Sequence, residues 1–565
     1  MSDDTPVCKI TIQDIEHHMS SLFSTPNNCV RPNYAFNFEP KEKYIIDDIF
    51  ADVISKVEII EATKRLSVDT AAGQDGILVR SIKDDLASEV IARIATRMLK
   101  TGYVPSLFRT GRTVLLYKKG DKQNLSNWRP ITICSVLRRI IERALDAKLK
   151  TYIEFSEHQR GFTKSPGTLI NTALLRSILL SSKSLKKDCT IVFLDVSKAF
   201  DNVGHLHLQK TLDSYPIPTK LAQLIINLQK SNITHIHTNR QTTGPIYFKR
   251  GVMQGSPLSP TLYNLSTDHL FQELSEETVS NHYGYIAADG VQPTTIMGFA
   301  DDTVIIGNSQ ASAAELTRMA IERFNEIGLH INPEKSMVIN IVKGKMSGHE
   351  LKVLPNFSIQ SISPNEKIKY LGLNFADDII FDPQKLMTEL KHKLDLLSSS
   401  PWLRPDQKYT ILNSSICPIL IYQFISTPLE KIPERFLHDA DKMIKSVLKE
   451  ILSLPADTPD AMLYSDKQLK GLGLFRTHWE AILQQINGIN ILIKSQLPAI
   501  IATRDLNTEA KRCVDKLNIK PPDNIADIQT REGLFDTKKL RKSLRFHEWH
   551  NWSNLRQKGK GVCLY

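Results

Sequence analysis

Two short segments, each combining an apolar run with aspartates, constrain this chain more than any other feature of its sequence. The first is FLDVSKAFD (193–201), in which Asp195 follows an apolar strand-like run. The second is GFADDTV (298–304), in which Asp301 and Asp302 lie between two apolar runs. This pattern predicts a β-hairpin whose turn presents carboxylates. The sequence therefore predicts aspartates held at the ends of buried strands, where the backbone meets solvent.

Carboxylates in an apolar setting are costly unless a cation neutralises them. Oxygen ligands on rigid strands suit Mg²⁺, which retains several waters and binds substrate phosphates. If the fold brings Asp195 and Asp301 together across the 106 positions between them, the pair could hold two ions for in-line phosphoryl or nucleotidyl transfer. The alternative for an isolated Asp-Asp pair is an ordinary solvated turn, and the accompanying motifs decide against it.

Composition restricts the class of protein. The chain has 565 residues with 72 Lys+Arg against 61 Asp+Glu, a net charge of +11, which favours a polyanionic partner such as nucleic acid. Its seven cysteines include no two within four residues of each other, so no zinc finger is indicated and a reducing, intracellular compartment is expected. No signal peptide is visible, and the longest apolar stretch, Ile416–Ile425, is expected to be core rather than membrane-spanning.

Apolar spacing predicts a mixed α/β body followed by a helical C-terminal third. Residues 1–45 are interrupted by prolines and asparagines, which indicates an arm rather than a domain. Helical spacing is expected after position 380, with Leu386, Leu390, Leu394 and Leu397 forming one stripe. The basic stretch 538–560 carries eight Lys or Arg against one acid. It is interpreted either as a nucleic-acid contact or as an ordinary solvated amphipathic helix.

An ordered set of motifs points to a known family. Besides the two aspartate segments it comprises, in chain order, AAGQDGI (71–77), NWRPITICSV (127–136), HQRGF (158–162), GVMQGSPLSPTLYN (251–264), GLHINPEKS (328–336) and KYLGL (369–373). The set resembles reverse transcriptases of non-LTR retrotransposons, most strongly the site-specific type that inserts into ribosomal DNA. The resemblance covers roughly residues 55–565. It implies an RNA-directed DNA polymerase whose fold includes the segments between the motifs.

The resemblance assigns the metal site. Asp195, Asp301 and Asp302 match the metal-binding aspartates of the family, and the backbone carbonyl of Val196 is an additional candidate ligand. The implied cofactor is a pair of Mg²⁺ ions, with Mn²⁺ as a possible substitute. Lys335 matches a lysine that would protonate the leaving pyrophosphate.

The resemblance also assigns the nucleotide contacts. Phe200 matches the aromatic gate under the sugar, which would exclude a 2′-hydroxyl; the alternative is a simple core residue. Gln254 and Gly255 match residues that contact the incoming nucleotide and the template. Arg129 is expected to bind the triphosphate, with Lys118 a weaker candidate. For Lys118 and the adjacent Lys119, the competing interpretation is an ordinary charged side chain in solvent.

The implied fold is a right-hand α+β polymerase with an antiparallel palm sheet and a helical thumb. The expected regions are an N-terminal arm, an N-terminal extension with fingers, a palm, a helical thumb and a basic C-terminal segment, at 1–45, 46–188, 189–378, 379–500 and 501–565. No zinc fingers, knuckle or endonuclease are visible in this sequence, so a polymerase core is expected, and an endonuclease acting in trans is a candidate partner. The expected partners are an RNA template, a DNA primer or target and dNTPs, with no membrane, in the nucleus. The alternative is a catalytically inert or domesticated RNA-binding relic; RNA-dependent RNA synthesis is disfavoured by Phe200.

Overall fold

The computed structural model describes residues 8, 10–31, 52–238, 241–517, 528–530 and 532–557. Its helices, numbered in chain order, are α1 Ile12–Phe23, α2 Lys56–Lys64, α3 Asp85–Thr101, α4 Ser106–Arg109, α5 Val136–Leu149, α6 Gly167–Leu185, α7 Ala199–Asn202, α8 His205–Ser214, α9 Thr219–Gln229, α10 Ser259–Leu274, α11 Glu277–Tyr283, α12 Gln310–Glu326, α13 Pro383–Ser399, α14 Pro405–Ile411, α15 Ile421–Ser426, α16 Glu434–Ile451, α17 Asp460–Tyr464, α18 Thr477–Ser495, α19 Pro498–Thr503, α20 Leu506–Lys516 and α21 Thr537–Gln557.

The strands are β1 Thr110–Tyr117, β2 Trp128–Ile133, β3 Cys189–Leu194, β4 Asn232–Ile236, β5 Ile246–Phe248, β6 Ile296–Phe299, β7 Asp302–Gly307, β8 Met337–Val342, β9 Lys345–Ser347, β10 Leu351–Leu354, β11 Phe357–Ile359, β12 Ile368–Tyr370, β13 Leu373–Phe375 and β14 Ile379–Ile380. They form a five-stranded sheet, a four-stranded sheet, a three-stranded sheet and a two-stranded ribbon.

The five-stranded sheet, in the order β6-β7-β3-β8-β9, is antiparallel throughout and buried on both faces. Along β3, Val192 and Leu194 enter one hydrophobic core, whereas Cys189 and Ile191 enter another. This alternation is the two-residue period of a strand covered on both sides. Helices α10 and α12 contribute to the first core, and α6 and α18 to the second. Helices and an antiparallel sheet thus share common cores, as the predicted α+β class requires.

The four-stranded sheet, in the order β2-β1-β4-β5, carries an N-terminal helix that the sequence pattern did not indicate. Helix α1 buries Ile15, Met19, Leu22 and Phe23, and the ring of Phe23 lies 4.5 Å from that of Phe248 on β5. The prolines of the N-terminal stretch, at positions 6, 26, 32 and 40, lie outside this helix, so they do not interrupt it. The expectation of an aperiodic arm is therefore wrong for the helix residues, while 32–45 lie outside the described residues.

The C-terminal part of the chain is helical, as its pattern predicts. In α13 the buried residues are the four leucines of the expected stripe, Leu386, Leu390, Leu394 and Leu397. Within Ile416–Ile425, Cys417, Leu420 and Phe424 are completely buried in the same core, which confirms the core assignment of this stretch. Across the described part of the chain, none of the helices combines the length and apolar character that crossing a membrane requires.

The basic C-terminal stretch forms α21, which packs against the body of the protein through Leu540 and Leu544. Part of its charge is bound internally, because Arg541 donates from Nε and Nη2 to the carboxylate of Glu480 at 2.6 and 2.7 Å. The amphipathic-helix interpretation therefore accounts for one face of this stretch. Its last residues, 558–560, lie outside the described residues.

A buried ion pair connects three elements next to the sheets. Arg138 and Glu142 on α5 are 1% and 0% exposed, and Nε lies 2.7 Å from Oε1. Arg138 also donates to Asn232 Oδ1 on β4 at 2.9 Å. The other oxygen of Glu142 accepts a hydrogen bond of 2.8 Å from Ser256, in the loop that precedes α10. The pair therefore fixes α5 against both the four-stranded sheet and that loop.

Removing one member of this pair should lower the free energy of unfolding far more than removing both. We expect Glu142→Ala to lower the free energy of unfolding by about 3–5 kcal/mol, because the buried guanidinium loses its counter-charge. Arg138→Met/Glu142→Leu should lose less, since no unpaired charge stays buried. Denaturant unfolding of both variants measures this, with Glu89→Ala, which removes the partner of Arg93 in a surface ion pair, as control. Equal losses in the single and double variants would contradict the assignment.

Candidate active site

The residues assigned from the motifs line one cleft of about 780 Å³ between the two larger sheets. The cleft walls include Lys118, Arg129, Asp195, Val196, Phe200, Gln254, Gly255, Asp301, Asp302 and Lys335. These residues come from segments separated by up to 217 positions in the chain, so the fold gathers the whole candidate set.

Asp195 is held at the end of β3 by the segment 328–336. Its backbone N–H donates to Ser336 Oγ at 3.1 Å, and its carbonyl accepts from the N–H of Asn332 at 2.9 Å. The next residue, Val196, is buried and pairs with Ile331 in an isolated bridge. These bonds fix the backbone where the strand ends, so the carboxylate of Asp195 extends into the cleft from a rigid base.

Asp301 and Asp302 lie at the turn of the β6–β7 hairpin, as predicted. Phe299 pairs with Asp302, which leaves Ala300 and Asp301 in the tight turn between them. Ala300 has φ of 58°, in the left-handed region that non-glycine residues rarely adopt. Because β7 pairs with β3 as far as Leu194–Thr303, the turn reaches the same edge of the sheet as Asp195.

The three carboxylates repel each other electrostatically. Burial raises the pKa of Asp301 and the charge on Asp195 raises it further, against the opposing effect of Arg129 and Lys118. Burial, followed by the charges of Asp301 and Asp195, raises the pKa of Asp302 to about 6. Both side chains are exposed to solvent in the cleft, yet the surrounding walls remove much of their hydration. Ionising all three would therefore be favoured by a bound cation.

These oxygen donors suit a hard divalent cation such as Mg²⁺. Across the described part of the chain, no group of three or more His, Cys, Asp and Glu side chains is placed so that it could hold a metal ion by itself. The remaining ligands would have to come from backbone carbonyls, water or substrate phosphates, which is the usual manner of Mg²⁺ binding at phosphate-processing sites.

A cationic wall lies across from the carboxylates. Arg129 on β2 pairs with Leu116 on β1. The backbone N–H of Lys118, the residue after β1, donates to Asn127 O at 2.8 Å. Burial lowers the pKa of Lys118, and the neighbouring Arg129 lowers it further. Because both cations face the aspartates across the cleft, a group carrying several negative charges fits between them.

Phe200 lies against the aromatic floor of the cleft. Its ring stacks on Tyr263 with centroids 4.6 Å apart and an interplanar angle of 14°, and it meets Phe162 edge-on at 6.2 Å. Phe200 is half-buried while Tyr263 is completely buried. The stack fixes the orientation of the Phe200 ring at the cleft surface.

Gln254 and Gly255 are placed by close backbone contacts. Gly255 has φ of 117°, and a Cβ at this position would lie 2.4 Å from the carbonyl oxygen of Thr132, so only glycine fits. The N–H of Thr132 donates to Gln254 O at 2.8 Å. The Gln254 side-chain amide donates to Asp201 Oδ1 at 2.8 Å.

Asp201 is a cleft residue that sequence reasoning missed. Burial raises its pKa to about 6, although the hydrogen bond from Gln254 and the charge of Lys198 act in the opposite direction. The residue is only 6% exposed. Its position at the end of the FLDVSKAFD motif was visible, but its burial was not. His18 and Met19 of α1 also line the cleft, and their motif-free sequence gave no signal for this.

The pKa of Asp201 predicts a pH-dependent stability difference. Ionising this buried acid costs stability as the pH rises from about 4 to about 6, and the full cost of about 3 kcal/mol is present above pH 6. Asp201→Asn keeps an oxygen for Gln254 and avoids the charge, so it should gain stability relative to wild type over that range. Denaturant unfolding at pH 4 to 7 measures this, with the exposed Asp213→Asn as control. A stability difference that does not change with pH would contradict it.

Comparison with known proteins finds one matching family model and several similar retrotransposon polyproteins. The family model for reverse transcriptase (RNA-dependent DNA polymerase) matches residues 117–375. The Retrovirus-related Pol polyprotein from type-2 retrotransposable element R2DM of Drosophila melanogaster is 28% identical over 461 residues, 80% of this chain and 42% of that protein. The polyprotein from type-1 retrotransposable element R2 of Popillia japonica is 30% identical over 410 residues, 72% of this chain and 56% of that protein.

The chain thus spans about half the length of the curated relatives it matches. Among solved structures, telomerase from Candida albicans in complex with a TWJ fragment of telomeric RNA has 12% sequence identity and a TM-score of 0.39, over 75% of this chain and 65% of that chain. The family match and the α+β architecture confirm the right-hand polymerase fold and the resemblance drawn from the motifs. Residues 117–375 form a domain of the reverse transcriptase family, and the chain is related to the polyproteins of R2-type non-LTR retrotransposons.

Proposed function

We propose that this chain is an RNA-directed DNA polymerase that adds deoxynucleotides to a primer 3′-hydroxyl on an RNA template. The observation that carries the proposal is the single cleft in which Asp195 and Asp301 face Arg129 and Lys118. A nucleoside triphosphate has several negative charges for the cationic wall to bind. In the reaction the primer 3′-oxygen forms a bond to the α-phosphorus, and pyrophosphate leaves.

The carboxylates account for a divalent-metal requirement. Two Mg²⁺ ions, or Mn²⁺ in their place, would be held by Asp195, Asp301, Asp302 and the carbonyl of Val196. When bound, they lower the pKa of the primer hydroxyl and neutralise the triphosphate. The protein's own contribution is to hold the oxygen donors on strand ends and to exclude much of the water around them.

The other cleft residues have roles in substrate placement. Arg129 binds the triphosphate through its planar guanidinium, and Lys118 adds a point charge. Phe200, fixed on Tyr263, lies under the sugar and leaves no room for a 2′-hydroxyl. Gln254 and Gly255 contact the incoming nucleotide and the template. Lys335 is the proton donor to the leaving pyrophosphate.

The proposed partners are an RNA template, a DNA primer or target, and dNTPs. Action on chromosomal DNA implies a nuclear location. The net charge of +11 supports a polyanionic partner. A catalytically inert RNA-binding relic would share that charge, but the assembled carboxylates and cations of the cleft weigh against it.

Loss of one carboxylate should abolish synthesis. In primer extension on an RNA template with Mg²⁺ and dNTPs, we expect wild type to extend the primer and Asp301→Ala to fall to background, because the remaining donors cannot hold both ions. The exposed Asp213→Ala, on α8 and outside the cleft, should match wild type. RNA binding without synthesis by wild type, or equal synthesis by wild type and Asp301→Ala, would contradict the proposal.

Sugar selection should depend on Phe200. Phe200→Ala removes the ring at the cleft surface and should raise the relative use of ribonucleotides by about 10- to 100-fold. Phe200→Tyr keeps the ring and should retain selection against ribonucleotides. The measurement is kcat/KM for one dNTP and its ribonucleotide counterpart in each variant. Unchanged discrimination in Phe200→Ala would show that another group excludes the 2′-hydroxyl.

A further inference from the structure

The segment 156–161, which overlaps the HQRGF stretch (158–162), runs alongside the strand that leads into the hairpin turn carrying Asp301. The N–H of Arg160 donates to Gly298 O at 2.9 Å, and the N–H of Gly298 donates to His158 O at 2.8 Å. This two-way exchange is a short parallel pairing with β6. It brings the side chain of Gln159 to the backbone of the turn.

The Gln159 amide pairs with both backbone groups of Ala300. The N–H of Ala300 donates to Gln159 Oε1 at 2.9 Å, and Gln159 Nε2 donates to Ala300 O at 3.0 Å. Gln159 is 2% exposed, so water does not compete for these bonds. The same oxygen accepts the N–H of Gly161 at 3.0 Å, which fixes the amide orientation.

The paired residue is the one with the strained backbone. Ala300 has φ of 58°. This left-handed conformation is energetically unfavourable for any residue that carries a Cβ. A bidentate partner for its N–H and C=O stabilises this conformation over the relaxed alternatives. Ala300 is directly bonded to Asp301, so its φ and ψ determine the direction in which the carboxylate leaves the turn.

The segment that carries Gln159 is itself braced from two helices. On α10, Asp268 accepts the N–H of Ser156 at 2.9 Å, and Asn264 donates to Gly161 O at 2.7 Å. On α6, Asn171 Oδ1 accepts a hydrogen bond of 3.1 Å from Arg160 Nη1, and the Asn171 amide donates to Gly298 O on β6 at 3.0 Å. A Cβ on Gly161 would lie 2.1 Å from the N of Ala300, so the two backbones are in direct contact. Gln159 is therefore a rigid support, not a mobile loop residue.

We propose that Gln159 is a positioning residue that holds Ala300 in its left-handed conformation and thereby places the Asp301 carboxylate in the cleft. The proposal rests on the polymerase function assigned to the cleft. It gives HQRGF a task distinct from substrate contact, because Gln159 acts only through the backbone of its neighbour. Two variants follow: Gln159→Met keeps the volume without the hydrogen bonds, and Gln159→Glu keeps the acceptor but loses the donor.

Steady-state primer extension separates this role from general destabilisation. We expect kcat of Gln159→Met to fall on the order of 100-fold, as for a catalytic group displaced by about 1 Å. The Mg²⁺ concentration for half-maximal rate should rise, while KM for the dNTP changes little because Arg129 is untouched. The matched control is Gln485→Met in α18, another buried glutamine bonded to backbone carbonyls. A lower thermal stability with unaltered Mg²⁺ dependence is expected there.

Relief of the strain supplies the sharper test. Ala300→Gly accepts a positive φ without penalty, so Gln159→Met/Ala300→Gly should recover about tenfold of the lost kcat, a non-additive result expected for coupled residues. The kcat of Gln159→Glu should stay below that of this double variant, since the introduced carboxylate lies beside Asp301. Strict additivity of the two substitutions, or an unchanged Mg²⁺ dependence in Gln159→Met, would overturn the proposal.

A readout without catalysis keeps the two proposals distinguishable. If wild type makes no DNA, the polymerase proposal fails, and amide hydrogen exchange over residues 296–303 still tests the support role. Gln159→Met should raise exchange at this hairpin about tenfold, because the Ala300 N–H loses its acceptor, whereas Gln485→Met should not. Unchanged exchange in Gln159→Met would overturn the positioning role by itself.

Discussion

The antiparallel pairing of β3 with β7 is the constraint on which the cleft depends, because it brings together carboxylates that repel each other. The register reaches Leu194–Thr303, so Asp195 and the turn bearing Asp301 share one edge of the sheet. Such a gathering of like charges is tolerable only with cations nearby. Lys118 and Arg129 in the cationic wall, and the divalent ions proposed for the site, both offset the repulsion between the carboxylates.

Local features of this arrangement could be predicted from the sequence. Apolar runs ending in aspartates predict strands, and the turn between two such runs predicts the hairpin at Asp301. The leucine stripe of α13 follows from helical spacing alone. The candidate residues fall in one cleft because their motifs lie at strand ends and in tight loops, positions that the short-range pattern already marks.

Long-range features could not be predicted. Helix α1 is short, and the residues it packs against lie far along the chain, with Phe248 more than two hundred positions away, so no local period indicates where it docks. Asp201 has the sequence setting of a solvated acid, and only the packed fold shows its burial. The pairing of Gln159 with Ala300 joins a side chain to a backbone 141 positions later. An alanine carries no sequence sign of a left-handed conformation, since that conformation is imposed by its surroundings.

The central claim is that the carboxylates of the sheet edge hold divalent ions for nucleotidyl transfer. The most direct measurement is anomalous scattering from crystals of the chain grown with an RNA–DNA primer–template, a dNTP and Mn²⁺. The account predicts peaks bonded to oxygens of Asp195 and Asp301, with the triphosphate lying toward Arg129. Nucleic acid and nucleotide bound in this cleft without metal at these aspartates, or metal and nucleotide bound elsewhere, would contradict it.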